Sequence, residues 1–154
     1  MLDIKHKEKR LSLKIDLGIL TISEYQDKIV SIKFTKRCYK DRSTILNAAK
    51  KQINEYFLKK RKNFFFPIGY SLTILENKIL HKMQIVRYGK TKSYKEIAEL
   101  VGTSPRVVGN ACKKNPLLLV IPCHRIISHD GNLGGFSAPG GVKTKLKLLQ
   151  LEEI

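Results

Sequence analysis

Two helix-start signals stand eleven residues apart in the middle of this 154-residue chain, and they limit what that stretch can fold into. Ser93 is followed three positions later by Glu96, the spacing at which side chain and backbone cap each other reciprocally. The first helix is therefore predicted over Tyr94–Val101, with Gly102 as its stop. Thr103-Ser104-Pro105 opens a second helix, to about Lys114, with proline in the first turn where its missing N–H has no partner to lose. Two short helices joined by a tight glycine turn predict a helix-turn-helix whose second helix carries Arg106, Val107, Val108, Gly109 and Asn110. A buried helix pair with no DNA partner has the same signature, so the pattern alone leaves both readings open.

Charge favours the first. The chain has 30 Lys and Arg against 13 Asp and Glu, a formal charge of +17. The excess is divided: 17 basic and 7 acidic residues lie before Ser71, 13 and 6 after it. A basic surface attracts the phosphate backbone without regard to sequence, although lysine can serve solubility alone. At 42% hydrophobic residues the chain can bury a core. No apolar run approaches the ~20 residues that cross a bilayer, and the basic N-terminus lacks the apolar stretch of a secretion signal. Cys38, Cys112 and Cys123 are odd in number and irregularly spaced, which argues against a disulfide scaffold and for a reducing, intracellular setting.

On either side of these helices the pattern changes. Residues 18–34 read as two strands, Ile19, Leu20 and Ile22 in one and Ile29, Val30, Ile32 and Phe34 in the other, with Glu24–Lys28 as a hairpin loop. Ser43-Thr44 caps a helix whose stripe is Ile45, Leu46, Ala49, Ile53, Tyr56 and Phe57, ending in a basic last turn, Lys59–Lys62. A nuclear-localisation reading of those four residues is the less economical one. Pro67 and Gly69 stop any helix, and Phe64-Phe65-Phe66 is expected to pack between two modules divided near Tyr70. Beyond it Ile74, Ile79, Leu80, Met83 and Val86 form a helical stripe that stops at Tyr88-Gly89. The expected modules are 1–69 and 70–154.

After the second helix, Asn115-Pro116 leads through Leu117–Ile121 to Pro122-Cys123-His124-Arg125-Ile126. Proline restrains the backbone before Cys123, and flanking cations are expected to lower the thiol pKa toward the nucleophilic thiolate. Neighbours in an extended chain face opposite ways, so contact between Cys123 and His124 requires a turn or a bridging water. A buried structural cysteine beside an unrelated histidine is the bland alternative.

Ile-Pro-Cys-His-Arg-Ile following a helix-turn-helix, with Asn115-Pro116 close before it, resembles the 6-O-alkylguanine-DNA alkyltransferases. The likeness is strong over 70–152, where it includes Tyr88-Gly89 to Ser93-Tyr94, Ser-Pro-Arg-Val-Val-Gly, Lys114-Asn115-Pro116 and Gly140-Gly141-Val142 through Glu152, and weaker, in hairpin-plus-helix order only, over 18–68. It implies an α/β (α+β) protein: a small sheet and helix, ribonuclease H-like in the family, then a mostly helical winged helix-turn-helix module. It also implies a single-turnover repair protein that flips 6-O-alkylguanine out of duplex DNA and takes the alkyl group onto Cys123. In that resemblance His124, acting through water, and Glu152 complete a relay, Tyr94 helps extrude the nucleotide, and Asn115 ties helix to active-site turn. Arg106 matches the finger that fills the gap. Ser104, Val107 and Gly109 share its groove surface, and Ser93 and Lys95 are neighbours of phosphates. Arg125 would hold the turn.

Tyr94, Ile126, Leu133 and Ser137 are expected to form the base pocket, within the loop Gly131–Gly141 and its surroundings. Phe136 where tyrosine is frequent, Ala138-Pro139 lengthening the loop, and Pro105 and Val107 beside the finger depart from the pattern. Neither cofactor nor metal is expected: Cys38, Cys112, Cys123, His124 and His129 show no close zinc spacing, and His6 and Cys38 are too few to carry over the N-terminal zinc that some members of the resembled family hold. The expected partner is double-stranded DNA carrying alkylated guanine, met by a monomer that can bind cooperatively, in the cytoplasm at the nucleoid and not at a membrane. A helix-turn-helix regulator has no use for Pro-Cys-His-Arg, and a non-repairing lesion binder lacks the cysteine. A cysteine hydrolase needs an oxyanion hole that nothing here marks.

Overall fold

The computed structural model describes residues 7–153. The chain forms two compact units, residues 1–70 and 71–154. The first contains an antiparallel meander of β1 (Lys9–Ile15), β2 (Gly18–Tyr25) and β3 (Lys28–Phe34), in that order, followed by α1 (Thr44–Phe57). Strand alternation sorts the residues. Leu11 opposes Ile22, Leu13 opposes Leu20, and Ile22 opposes Ile32, so one face is apolar. On it α1 buries Leu46, Ala49, Ile53 and Tyr56. The other face carries a hydroxyl ladder, Ser12 to Thr21 at 2.7 Å and Thr21 to Thr35 at 2.6 Å, covered by the segment that brings the Tyr39 N–H onto Ser12.

Several expectations for this unit are corrected. Residues 9–15 form a strand not foreseen from the sequence. The hairpin loop contracts to Gln26 and Asp27, both at positive φ as the tight turns matching strand twist require, so Glu24, Tyr25 and Lys28 belong to strands. Helix α1 ends at Phe57, and Lys59, at φ 60°, begins a turn, so Lys59–Lys62 lie beyond its last turn. Phe64, expected between modules, makes ring contacts within this unit, to Tyr56 and Phe66, while Phe65 is exposed.

In the second unit α2 (Ile74–Gln84) is capped by Thr73 and buries Ile79, Leu80 and Met83. It ends four residues before Tyr88, and Ile74, expected in the buried stripe, is exposed. Helices α3 (Tyr94–Val101) and α4 (Pro105–Lys113) follow as a pair. Ser93 and Glu96 make both hydrogen bonds of the capping box, and Gly102 ends α3 at φ 82°. Ser104 caps α4. A two-residue strand, β4 (Lys92–Ser93), pairs in parallel with β5 (Ile126–Ile127). That pairing holds the start of α3 beside the chain leaving Cys123. The last helix, α5 (Val142–Leu151), ends at Glu152. Among the described residues no helix is long and apolar enough to cross a membrane.

Candidate active site

Asn115 organises the approach to Cys123. Its side-chain oxygen accepts the Leu117 N–H at 2.9 Å, and its amide nitrogen donates to the Ile121 carbonyl at 2.7 Å and to Cys123 Sγ at 3.2 Å. The chain between is compact, with Leu119 at φ 73° and the Ile121 N–H bonded to Leu117. Cys123, His124 and Arg125 then form a single 3-10 turn, all three buried. The turn points consecutive side chains in different directions, and it is the His124 backbone N–H that favours the Cys123 thiolate.

His124 reaches the end of α5. Its Nε2 lies 2.6 Å from Glu152 Oε2. An ionised carboxylate only accepts, so Nε2 carries the proton and Nδ1 is the imidazole's basic position. Glu152 also accepts Arg125 Nε at 2.8 Å, Arg125 Nη2 at 3.1 Å and the Gly89 N–H at 3.1 Å. The third Arg125 nitrogen donates to the Val86 carbonyl at 2.7 Å, and its guanidinium lies 5.7 Å from the Tyr88 ring centre. Arg125 thus clamps Glu152 to the segment after α2 while the same carboxylate orients His124.

Burial pushes the Cys123 thiol up, opposed by the Asn115 amide and the charge of Lys145. This corrects the expectation of a lowered thiol: the turn takes Cys123 out of water, and desolvation of the thiolate outweighs the nearby cations. Burial also lowers His124, against the pull of Glu152, which keeps the imidazole neutral and able to accept a proton.

Cys123 opens on a cavity of about 600 Å³. Helix α4 supplies Pro105, Arg106, Gly109, Cys112 and Lys113, α3 supplies Tyr94, and the loop supplies Ser128, Gly134, Gly135, Phe136 and Ser137. Ile126 and Leu133, expected as walls, are not in the lining. Ile126 is fully buried and offers its carbonyl to Lys145, while Gly134, Gly135 and Phe136 form the loop wall. Of the expected groove residues, Arg106 is exposed at the cavity edge, Ser104 caps α4, Val107 is half-buried and Gly109 lines the cavity. Ser93 is buried in its capping box. Together with Lys92, Lys95, Ser128 and His129 it lines a second, more polar groove of about 500 Å³, and Ser128 borders both.

Lys145 and Cys112 were not singled out in the sequence as parts of this site. Lys145 is fully buried on α5 and donates to the Tyr94 hydroxyl at 3.2 Å, to the Gly135 carbonyl at 3.3 Å and to Ile126. Burial lowers its pKa and pushes that of Tyr94 up to about 12, so the phenol stays a hydrogen-bond donor. Cys112 Sγ lies 3.4 Å from Met83 Sδ, and burial pushes its thiol up to about 12. Lysine between Lys143 and Lys147 reads as solvated surface, and a lone cysteine on a helix has no motif. Among the described residues no cluster of three His, Cys, Asp or Glu side chains could hold a metal ion.

This arrangement has counterparts. Residues 75–154 match the family model described as 6-O-methylguanine DNA methyltransferase, DNA binding domain. A methylated-DNA–protein-cysteine methyltransferase of Metallosphaera sedula is 40% identical over 139 residues, 88% of this chain and 86% of that one. The constitutive methylated-DNA–protein-cysteine methyltransferase of Bacillus subtilis is 34% identical over 153 residues, covering 90% and 91%. The crystal structure of O6-methylguanine methyltransferase from Mycobacterium tuberculosis superposes with a TM-score of 0.85 at 26% identity, covering 96% of this chain and 93% of that one. The M. tuberculosis OGT in complex with DNA gives 0.83 at 27% identity, covering 94% and 93%. With a buried Cys-His-Glu constellation, a capped helix pair and these relatives agreeing over most of its length, the chain belongs to the 6-O-methylguanine DNA methyltransferase family.

Proposed function

We propose that this protein repairs 6-O-alkylguanine, chiefly the methyl form, in duplex DNA by moving the alkyl group irreversibly onto its own Cys123. The observation that carries the reading is the His124–Glu152 hydrogen bond on the same turn as Cys123, which lines a cavity bordered by the second helix of a helix pair. Residues 70–154 hold all of this chemistry, and 1–69 form a separate module. The setting is intracellular, at the DNA, and one monomer serves one lesion.

The lesion is drawn out of the stack because a sulfur cannot reach the exocyclic alkyl carbon inside it. Gly109 lets the α4 backbone come close, and Arg106 occupies the gap. Tyr94 donates from its protonated hydroxyl to the base, and Ser137 holds it. Lys92, Lys95 and His129, which line the neighbouring groove together with Glu99 and the cap-bonded Glu96, suit the phosphates of the strand carrying the lesion. A water between Cys123 and His124 Nδ1 takes the thiol proton, with Glu152 stabilising the imidazolium. The sulfur–carbon bond forms as the carbon–oxygen bond breaks, the electron pair passes to the guanine, and the resulting guanine anion takes a ring proton from water while the imidazolium returns its proton to solvent. A thioether has no leaving route, so each molecule acts once.

Incubation with duplex containing labelled methylguanine should transfer one label per protein molecule and then stop. Continued turnover would contradict the reading. Arg106→Ala should slow repair of duplex far more than transfer from free benzylguanine, and equal slowing would exclude a role in flipping.

A further inference from the structure

In the N-terminal unit a groove of about 400 Å³ runs between α1 and β1, lined by Leu13, Arg42, Asn47, Lys50, Lys51 and Asn54. We infer that this groove is a second contact for duplex DNA, binding its sugar–phosphate backbone. The inference rests on the repair reading for the identity of the polyanion and assigns a task to a module that reading leaves idle.

The argument comes from which charges are already neutralised. Asn47, Lys50, Lys51 and Asn54 are spaced by three, four and seven residues and so share one side of α1, opposite Leu46, Ala49, Ile53 and Tyr56 in the core. Arg42 stands just before the cap of that helix. Of the unit's acidic side chains, Glu8 is engaged with Arg10, Glu55 with Arg61, Glu24 with the Ser43 hydroxyl and Asp41 with the Arg10 N–H, while Asp16 and Asp27 stand in the strand-connecting turns. No carboxylate lines the groove. Among the described residues Arg42, Lys50 and Lys51 have no ion-pair partner, and the carboxamides of Asn47 and Asn54 accept and donate no hydrogen bond.

Five polar ends converging on one concave surface leave it wanting an external anion with several regularly spaced charges. A duplex backbone supplies them, the cations meeting phosphates and the amides donating to phosphate or sugar oxygens. An acidic protein would present carboxylates without that regular spacing.

The test is anisotropy of a labelled undamaged duplex over a range of salt concentrations. It compares the full-length protein with a variant carrying Arg42→Ala, Lys50→Ala and Lys51→Ala. A charge-matched variant carries Lys33→Ala, Lys36→Ala and Arg37→Ala, all exposed in the same unit. The groove variant should lose roughly 2–3 from its log–log salt slope, about 0.9 per phosphate contact, while the matched variant keeps the parent slope. Equal loss in both variants, or none in the groove variant, overturns the inference. Lys51→Glu alone, on an exposed helix position, should weaken binding without altering the melting curve, and unchanged affinity would count equally against it. Transfer from free benzylguanine to Cys123 should be the same in every variant. Its absence from the parent protein would contradict the repair reading, whereas an unaltered salt slope contradicts the groove alone.

Discussion

The side-chain amide of Asn115 bridges Cys123 Sγ, at 3.2 Å, and the Ile121 carbonyl, at 2.7 Å, so one residue fixes both the nucleophile and the backbone that delivers it. Asn115 lies just past the C-terminus of α4, which puts the thiol in register with the helix expected to meet DNA. Asn115→Ala removes a donor that favours thiolate and leaves the Ile121 carbonyl without its partner. It should cost roughly 1–3 kcal/mol of stability. Alkyl transfer should slow by at least about tenfold, each decade being ~1.4 kcal/mol of barrier. Single-turnover rates and denaturant melts measure the two effects separately, and an unchanged rate would remove Asn115 from the site.

Arg125 is a positioning residue whose loss should be felt first in stability. Glu152 is buried and takes two hydrogen bonds from Arg125. Arg125→Met would strand that carboxylate, which for a broken buried pair costs about 3–5 kcal/mol. Urea denaturation should show the loss, and a second change, Glu152→Gln, should recover part of the stability without restoring transfer.

The pH dependence follows from His124. Burial holds its folded pKa below the ordinary 6.5. The unfolded chain therefore gains a proton near pH 6.5 that the native state refuses. Stability from this group is complete above about 6.5 and is lost as pH falls through the folded value. Melting temperature should decline as pH is lowered below about 6.5, and His124→Gln should flatten that decline. An identical slope in the variant would mean that the acid sensitivity arises elsewhere.

Gly134 sits at φ 72°, and a Cβ added there would come within 2.9 Å of the Tyr94 ring and hydroxyl. The neighbour that must yield is the residue Lys145 holds by its hydroxyl. Gly134→Ala should displace Tyr94 or the loop and slow transfer from duplex by about tenfold or more, a barrier change of ~1.4 kcal/mol. Quench-flow kinetics on methylguanine duplex would show it, and a parent-like rate would mean that the ring position is not critical.

Much of this was legible in the sequence because it is written in local chemistry. The capping box at Ser93 and Glu96, the Gly102 stop and the Ser104-Pro105 start each depend on residues within one turn, and all three occur as read. The turn at Cys123 was legible through proline. The features missed depend on distant partners. Strand β1, Lys-Arg-Leu-Ser-Leu-Lys-Ile, has its alternation masked by basic ends and is fixed by pairing with β2. Lys145 looks like surface until Ile126, Gly135 and Tyr94, from 10 to 51 residues away, enclose its amine. The thiol pKa was misjudged for the same reason: adjacent cations are visible in sequence, whereas burial is not.

The chain contains three free cysteines, and Cys112 shares the cavity with Cys123. Peptide mass spectrometry after reaction with methylguanine duplex therefore tests the central claim most directly. One methyl group should appear on the peptide holding Cys123, none on those holding Cys112 or Cys38, and Cys123→Ala should leave the DNA methylated. Methyl on Cys112, or repair that survives Cys123→Ala, would contradict it.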